Sequence, residues 1–504
     1  MSLSLADNAA GRALARAQRL GYQSLPLHVM SVTLSMVGAG ILVSALVELI
    51  DGGTETIPLL LSGVLWLVVG ALGFQATRMP DRVQILDIFV TVVAAWLGLI
   101  AAGAFPYIVS STFETLDDAL FESVSGFTTT GATVLQPIEG TSKGVLFWRS
   151  MSQWIGGMGV IVLVVAVLPT IGGGGMDLLV AEAPGPTGER LTPRVQETAK
   201  RLWIVYVAFT LCVTIAYLIF GMDLYDAVSH AFTTVSTGGF SPYNGSLGHF
   251  DSAAIEWVAI IAMFIAGGSF VLWYKVLRGN PKPLWQSAEF RTYVGLVVAA
   301  SAFVYLFSGQ SDIAVHDAIR NSIFAVLTIV STTGYGTANF GEWDAAAQGL
   351  LLLLMPLGAM AGSTAGGVKI VRLLAVASYA HRETLRQLHP RLVRPVRVGT
   401  ATIDQEITNR ILGFLILSLA IFGSTAMLML MTGTNLVTGL SAAATSFGNV
   451  GPGLDEIGPA SNFRAIPRPG RVVALGAMLL GRLEIYPVLL ALSVIPLLPR
   501  RLRR

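Results

Sequence analysis

The chain has 504 residues, 53% of them hydrophobic and only 12% charged, with 32 Lys and Arg against 30 Asp and Glu for a net charge of +2. Soluble domains carry ~25% charged residues, so the multidomain soluble enzyme that the length alone would suggest is excluded, and the near-neutral balance lacks the basic face of a nucleic-acid binder. One cysteine, Cys212, lies in an apolar run and leaves no disulfide framework or cysteine-based metal site.

Residues 1–25 carry Arg12, Arg16 and Arg19 among Ala, Leu and Ser, without the short apolar core and small-residue cleavage site of a signal peptide. They read as an amphipathic cytoplasmic lead-in. A helix crossing ~30 Å of hydrocarbon needs about 20 apolar residues. Runs that qualify lie near 26–50, 57–77, 84–109, 145–170, 202–221, 252–274, 292–310, 345–371, 411–433 and 472–498. The fold class is therefore an all-α polytopic membrane protein. With both termini inside, the inner segments hold 25 of the 32 basic residues, among them the tail Arg500, Arg501, Arg503 and Arg504.

Four outer segments share a pattern: an apolar stretch too short to cross, then a turn rich in Thr, Ser and Gly. They run Ser125-Gly-Phe-Thr-Thr-Thr-Gly131, His230-Ala-Phe-Thr-Thr-Val-Ser-Thr-Gly-Gly239, Ile329-Val-Ser-Thr-Thr-Gly334 and Thr445-Ser-Phe-Gly-Asn-Val-Gly451. Their glycines stand 108, 95 and 117 residues apart. The unit is span, half-helix, turn, span, repeated four times in the same direction after two leading spans. Non-helical backbone at membrane depth is tolerated where it lines an aqueous cavity or binds an ion. A half-helix also aims its partially negative C-terminus at its stop point, so four converging ends favour a cation. Acidic residues near the half-helix starts, Glu114, Asp117, Asp118, Glu122, Asp223, Asp226, Asp312 and Asp317, suit helix capping and also concentrate cations at the mouth.

With these four motifs in order, the chain resembles the Trk/Ktr/HKT superfamily of potassium transporters and is most similar to the Trk-type membrane subunit of bacteria. The resemblance runs from about residue 26 to 498. It implies a selectivity filter of Thr129, Thr130 and Gly131, then Thr237, Gly238 and Gly239, then Thr332, Thr333 and Gly334, and finally Asn449, Val450 and Gly451. Gly239 is chosen over Gly238 because the family places glycine directly before an aromatic residue, here Phe240. The implied organisation is a cytoplasmic N-terminus with two extra helices over 1–82, then pore repeats over 83–190, 191–285, 286–400 and 401–504. The third holds a gating loop at 357–368, and the fourth ends in the basic tail.

Mid-span glycines Gly358, Gly362, Gly366 and Gly367 make a poor helix. They fit either close helix packing of the small-xxx-small kind or, by the resemblance, an intramembrane loop that gates the pore. Arg482 sits deep in the last apolar run, where a charge is costly and functional by default. Pairing with Glu484 is disfavoured because residues two apart do not share a helix face, and the resemblance makes Arg482 an electrostatic barrier under the filter.

Other motifs read as structural. The Gly172–Gly175 run is a span exit, and Gly362 to Lys369 lacks a P-loop ending. Gln153 to Gly159 is ascribed to packing, while His230 and His316 read as polar residues beginning half-helices.

The function expected is potassium uptake across the bacterial cytoplasmic membrane, with potassium as transported ligand, no cofactor and no enzymatic activity. Membrane lipid is the surrounding partner, nucleic acid is not one, and the resemblance implies a homodimer and a cytosolic nucleotide-binding regulatory subunit. A sodium- or ammonium-permeable relative and a cation-coupled secondary transporter stay open as alternatives, the latter disfavoured because its repeats would be inverted.

Overall fold

In lipid, a long apolar segment can satisfy its own backbone polar groups only by forming a helix. A computed structural model of the chain describes residues 22–80, 85–167 and 195–494, and those residues are overwhelmingly helical. The lead-in up to residue 21, the Gly172–Gly175 run and the basic tail lie outside them.

The chain divides into two compact units. The first is built from the described residues up to Leu120, together with Ser142–Trp148 and the helix from Tyr486. It contains α1 (Leu25–Asp51), α2 (Thr56–Ala76) and α3 (Ile85–Val109). Ser24 caps α1 and Gly52 ends it in the left-handed conformation. Gly38, Gly63 and Gly70 let α1 and α2 approach so closely that a Cβ at Gly38 would lie 2.5 Å from the Leu67 amide nitrogen. Glu48 is fully buried in this unit, its carboxylate accepting the amides of Glu55 at 3.2 Å and Gly144 at 2.6 Å.

The second unit, Phe121–Thr141 with Arg149–Ile485, holds the four turns. The half-helices are α4 (Leu116–Phe127), α7 (Leu224–Val235), α12 (Val315–Val330) and α16 (Leu436–Gly448), of 12, 12, 16 and 13 residues. Asp223 and Asn435 cap the second and fourth, accepting the amides of Asp226 at 2.7 Å and Thr438 at 2.9 Å. Between them run α5 (Lys143–Val167), α6 (Val195–Ile219), α8 (Ala253–Ala266), α9 (Phe270–Leu277), α10 (Lys282–Gln286), α11 (Ala288–Phe307), α13 (Ala345–Leu354), α14 (Ile370–Leu388), α15 (Gln405–Met431) and α17 (Arg468–Arg482). The last helix is α18 (Tyr486–Val494). A core of Tyr206, Tyr217, Met263, Tyr293, Val330 and Tyr335 fills the centre of the second unit.

Six described helices are long and apolar enough to cross a membrane. Three expected crossings are not continuous. The run 252–274 bends by 102° between α8 and α9, at Gly267-Gly-Ser269. The run 345–371 leaves the helix after Leu354 and resumes only at Ile370. The run 472–498 is interrupted at Leu483–Ile485, where Glu484 adopts φ 51° and Pro487 lacks an amide hydrogen for the next turn.

Candidate functional site

The four half-helices end in one and the same way. The amides of Thr129, Thr237, Thr332 and Asn449 bond back three residues, at 3.0, 3.1, 3.0 and 3.4 Å. Those of Thr130, Gly238, Thr333 and Val450 bond back five, at 2.9, 2.8, 2.9 and 3.0 Å. This is the Schellman pattern, whose left-handed residue is normally glycine. Here it is Thr129, Thr237, Thr332 or Asn449, with φ of 53°, 55°, 58° and 55°. A β-branched residue in that region is strained, and such strain persists only where the surroundings over-determine it. Two residues on, Gly131, Gly239, Gly334 and Gly451 are left-handed again.

The turns close a ring. A Cβ on Gly131 would overlap the carbonyl oxygen of Gly238, one on Gly239 that of Thr333, and one on Gly334 that of Val450. On Gly451 it would lie 2.6 Å from the carbonyl of Thr130, which returns the series to its start. Each glycine thus admits the backbone oxygen of the next turn, in the cyclic order one, two, three, four, one. The four glycines also line a mouth cavity of about 520 Å³. Thr129, Thr237, Thr332 and Asn449 are fully buried, and the Thr129 hydroxyl and Asn449 Oδ1 have no partner among the described residues. A ring of backbone oxygens, buried hydroxyls and four helix C-termini is suited to a cation.

The outer braces of the turns are unequal. Nine residues before the turn glycines stand Glu122, His230, Ala325 and Ala442, and two residues after them Thr133, Ser241, Gly336 and Gly453. In the first turn Thr133 donates to Glu122 at 2.8 Å, and in the second the His230 ring meets the Ser241 hydroxyl at 3.0 Å. The small residues of the third and fourth turns have no such pair. The Tyr335 hydroxyl instead reaches from the third turn to α7, at 2.5 Å from Thr233, 2.9 Å from Thr234 and 2.9 Å from the His230 carbonyl. Asn449 ties the fourth turn to the first, donating to Thr130 at 3.0 Å and to the Met478 carbonyl at 2.9 Å.

Sequence reasoning missed several of these supports. Gln153 grips the second turn from both sides, donating to the Gly238 carbonyl at 2.7 Å and accepting the Phe240 amide at 3.0 Å. Its neighbours Gly156 and Gly157 do pack closely, against Phe127 and Ser236. His230 does not begin its half-helix but lies buried in the latter half of α7, whereas His316 is exposed beside Asp317. Glu122 is likewise no helix cap; it forms a buried ion pair with Arg149. Glu484 pairs with Arg372 at 2.6 Å rather than with Arg482. No group of three or more metal-ligating side chains occurs among the described residues.

Residues 355–369 fold against the turns. Gly358 and Val368 pair backbone to backbone at 2.9 Å, and the φ values of Gly362 and Gly367 are 75° and 65°. Small-xxx-small helix packing therefore does not apply to Gly358, Gly362 and Gly366. The Gly366 amide donates to Thr332 Oγ1 at 2.8 Å, and the Thr364 hydroxyl to the Val235 carbonyl at 3.0 Å. A Cβ on Gly366 would lie 2.7 Å from Asn449 Cβ. Arg482 donates to the carbonyls of Thr364 at 2.9 Å and Gly156 at 3.3 Å. The turns, the glycine loop and Arg482 thus meet in one place. The bend in 252–274 meets the loop as well, through Met360 to the Gly267 carbonyl at 3.1 Å and Phe270 to the Gly362 carbonyl at 2.9 Å.

The chain is similar to known proteins over most of its length. Residues 62–499 match the TrkH family, described as a cation transport protein. The chain is 34% identical over 475 residues to the Trk system potassium uptake protein TrkH of Vibrio parahaemolyticus, covering 93% of this chain and 98% of that one. It is 36% identical over 408 residues to TrkH of Escherichia coli K12, covering 80% and 84%. The crystal structure of the potassium transporter TrkH from Vibrio parahaemolyticus superposes with a TM-score of 0.82 at 32% identity, over 92% of this chain and 97% of that one.

Proposed function

The chain belongs to the TrkH family of cation transport proteins, and on that premise we propose that it takes up potassium across the bacterial cytoplasmic membrane through the four-turn ring. The observation that carries this reading is the cyclic closure of the turns, glycine against carbonyl in all four quarters. The filter is Thr129-Thr130-Gly131, Thr237-Gly238-Gly239, Thr332-Thr333-Gly334 and Asn449-Val450-Gly451. Its backbone oxygens replace the hydration shell of the ion, and the half-helix C-termini add partial negative charge.

The loop containing Gly358, Gly362, Gly366 and Gly367 is the gate, and Arg482 holds it through the Thr364 carbonyl. The guanidinium also opposes a cation leaving the filter, so loop and charge form one barrier. The protein works as a homodimer with a cytosolic nucleotide-binding regulatory subunit. The basic segment 369–410 is the surface on this chain that such a subunit meets.

Complementation of a potassium-uptake-deficient bacterial host at low potassium tests the reading. Wild-type protein restores growth, and Gly131→Asp, inserted in the membrane at equal level, does not. Growth with Gly131→Asp overturns it.

A further inference from the structure

We propose that Glu289 is a positioning residue that fastens the 355–369 loop across the pore and so sets how often the loop leaves it; the inference rests on the reading of that loop as the gate. Glu289 stands in the first turn of α11, whose start is fixed by Ser287 Oγ accepting the Phe290 amide at 3.2 Å. Its side chain points away from solvent, with the residue 5% exposed. One carboxylate oxygen accepts two backbone amides, Ala361 at 2.8 Å and Val371 at 3.3 Å. Ala361 lies in the middle of the loop, and Val371 in the first turn of α14, which begins where the loop ends. A single oxygen therefore ties the crest of the loop to its exit.

The chemistry makes the tie mutual. The first amides of a helix have no intrahelical partner, and the α14 N-terminus favours an anion. A buried carboxylate is held out of water only by the groups that bind it. If the loop leaves, Glu289 loses its shorter hydrogen bond while still enclosed, and Ala361 loses its acceptor. The loop carbonyls are gripped by cations instead. Lys369 Nζ donates to the Ala365 carbonyl and, at 3.4 Å, to that of Gly366, while Arg482 takes Thr364. Glu289 thus holds the loop at the Ala361 amide and Arg482 holds it at the Thr364 carbonyl, while Lys369, the loop's own last residue, binds the carbonyls just before it.

The test is uptake of potassium and of sodium by the full-length protein in proteoliposomes. Glu289→Ala raises potassium uptake about tenfold, Glu289→Gln raises it less, and both keep the wild-type ratio of potassium to sodium. Unchanged or lower uptake by both variants, with wild-type thermal unfolding, overturns the proposal. So does a shifted ion ratio, which places the effect on the filter. A third variant lacking Gly362, Ser363 and Thr364 separates the two readings. If that deletion leaves uptake unchanged, the loop is not a gate and the underlying reading falls. If the deletion raises uptake while Glu289→Ala does not, only the Glu289 proposal falls. Should Glu289→Ala fail to fold, hydrogen–deuterium exchange on Glu289→Gln decides: faster exchange in 357–368 with unchanged exchange in 445–451 supports the proposal, and equal exchange in both overturns it.

Discussion

Arg149 and Glu122 form an ion pair of 2.7 Å in which both side chains are almost wholly buried. Arg149 also lies 4.2 Å from the centre of the Phe240 ring and donates to the Ser241 carbonyl and Thr133 hydroxyl, each at 3.2 Å. Glu122 accepts the Val134 amide at 3.2 Å. One pair thus clamps the chain leaving the first turn to the chain leaving the second. Removing one partner of a buried pair typically costs about 3–5 kcal/mol, because the other charge is left enclosed. Arg149→Met therefore lowers the unfolding temperature sharply and reduces the ratio of potassium to sodium uptake. Arg149→Met with Glu122→Gln recovers much of the stability but not the ratio. Differential scanning of the purified variants, with paired flux measurements, checks both parts.

Gly131→Ala meets two obstacles at once: φ of 82° and the Gly238 carbonyl in the space of the new methyl. Ion uptake is lost while the protein still reaches the membrane. Gly295→Ala is the matched control, since nothing lies within 4 Å of the added carbon and the residue is helical. That change leaves uptake intact and stabilises the helix by about 1 kcal/mol. Equal uptake by both variants contradicts the packing of the ring.

Part of the site is legible in the sequence. Four glycine-centred turns at ~100-residue spacing are visible because a short apolar stretch that cannot cross the membrane needs an explanation each time. The loop is legible only in part: four glycines in ten residues make a poor helix but also fit close helix packing, and the resemblance alone favours a loop. The left-handed threonines are not visible, since glycine is the usual residue there and a β-branched residue is an outlier. Nor is the partnership of Glu122 with Arg149, or the grip of Gln153 on the second turn, since each joins segments far apart in the chain. The break at Gly267-Gly-Ser269 lies in an apolar run, and hydropathy averages over it. Its signal was the glycine pair itself.

Tyr335→Phe removes three hydroxyl contacts between the third turn and α7. A hydrogen bond typically contributes about 0.5–1.5 kcal/mol net, and stranded buried partners add to the loss. Because the third quarter lacks the polar brace of the first two, the variant relaxes ion selectivity more than it lowers stability. Rubidium and sodium uptake measured side by side, against the unfolding temperature, tests this order of effects.

Arg482→Ala frees the Thr364 carbonyl from a charge-assisted donor. Such bonds contribute about 1.5–3 kcal/mol, so loop opening rises by roughly ten- to a hundredfold. Potassium uptake increases with its ion preference retained. Unchanged uptake and gating dismiss Arg482 from the barrier.

The most direct test of the four-turn filter is the ratio of potassium to sodium uptake in proteoliposomes, measured for the wild type and for Gly131→Ala, Gly239→Ala, Gly334→Ala and Gly451→Ala. The wild type favours potassium, and each of the four substitutions, one per quarter, abolishes uptake or collapses that preference. Wild-type uptake and preference retained by any quarter's variant would contradict a ring in which all four turns hold the ion.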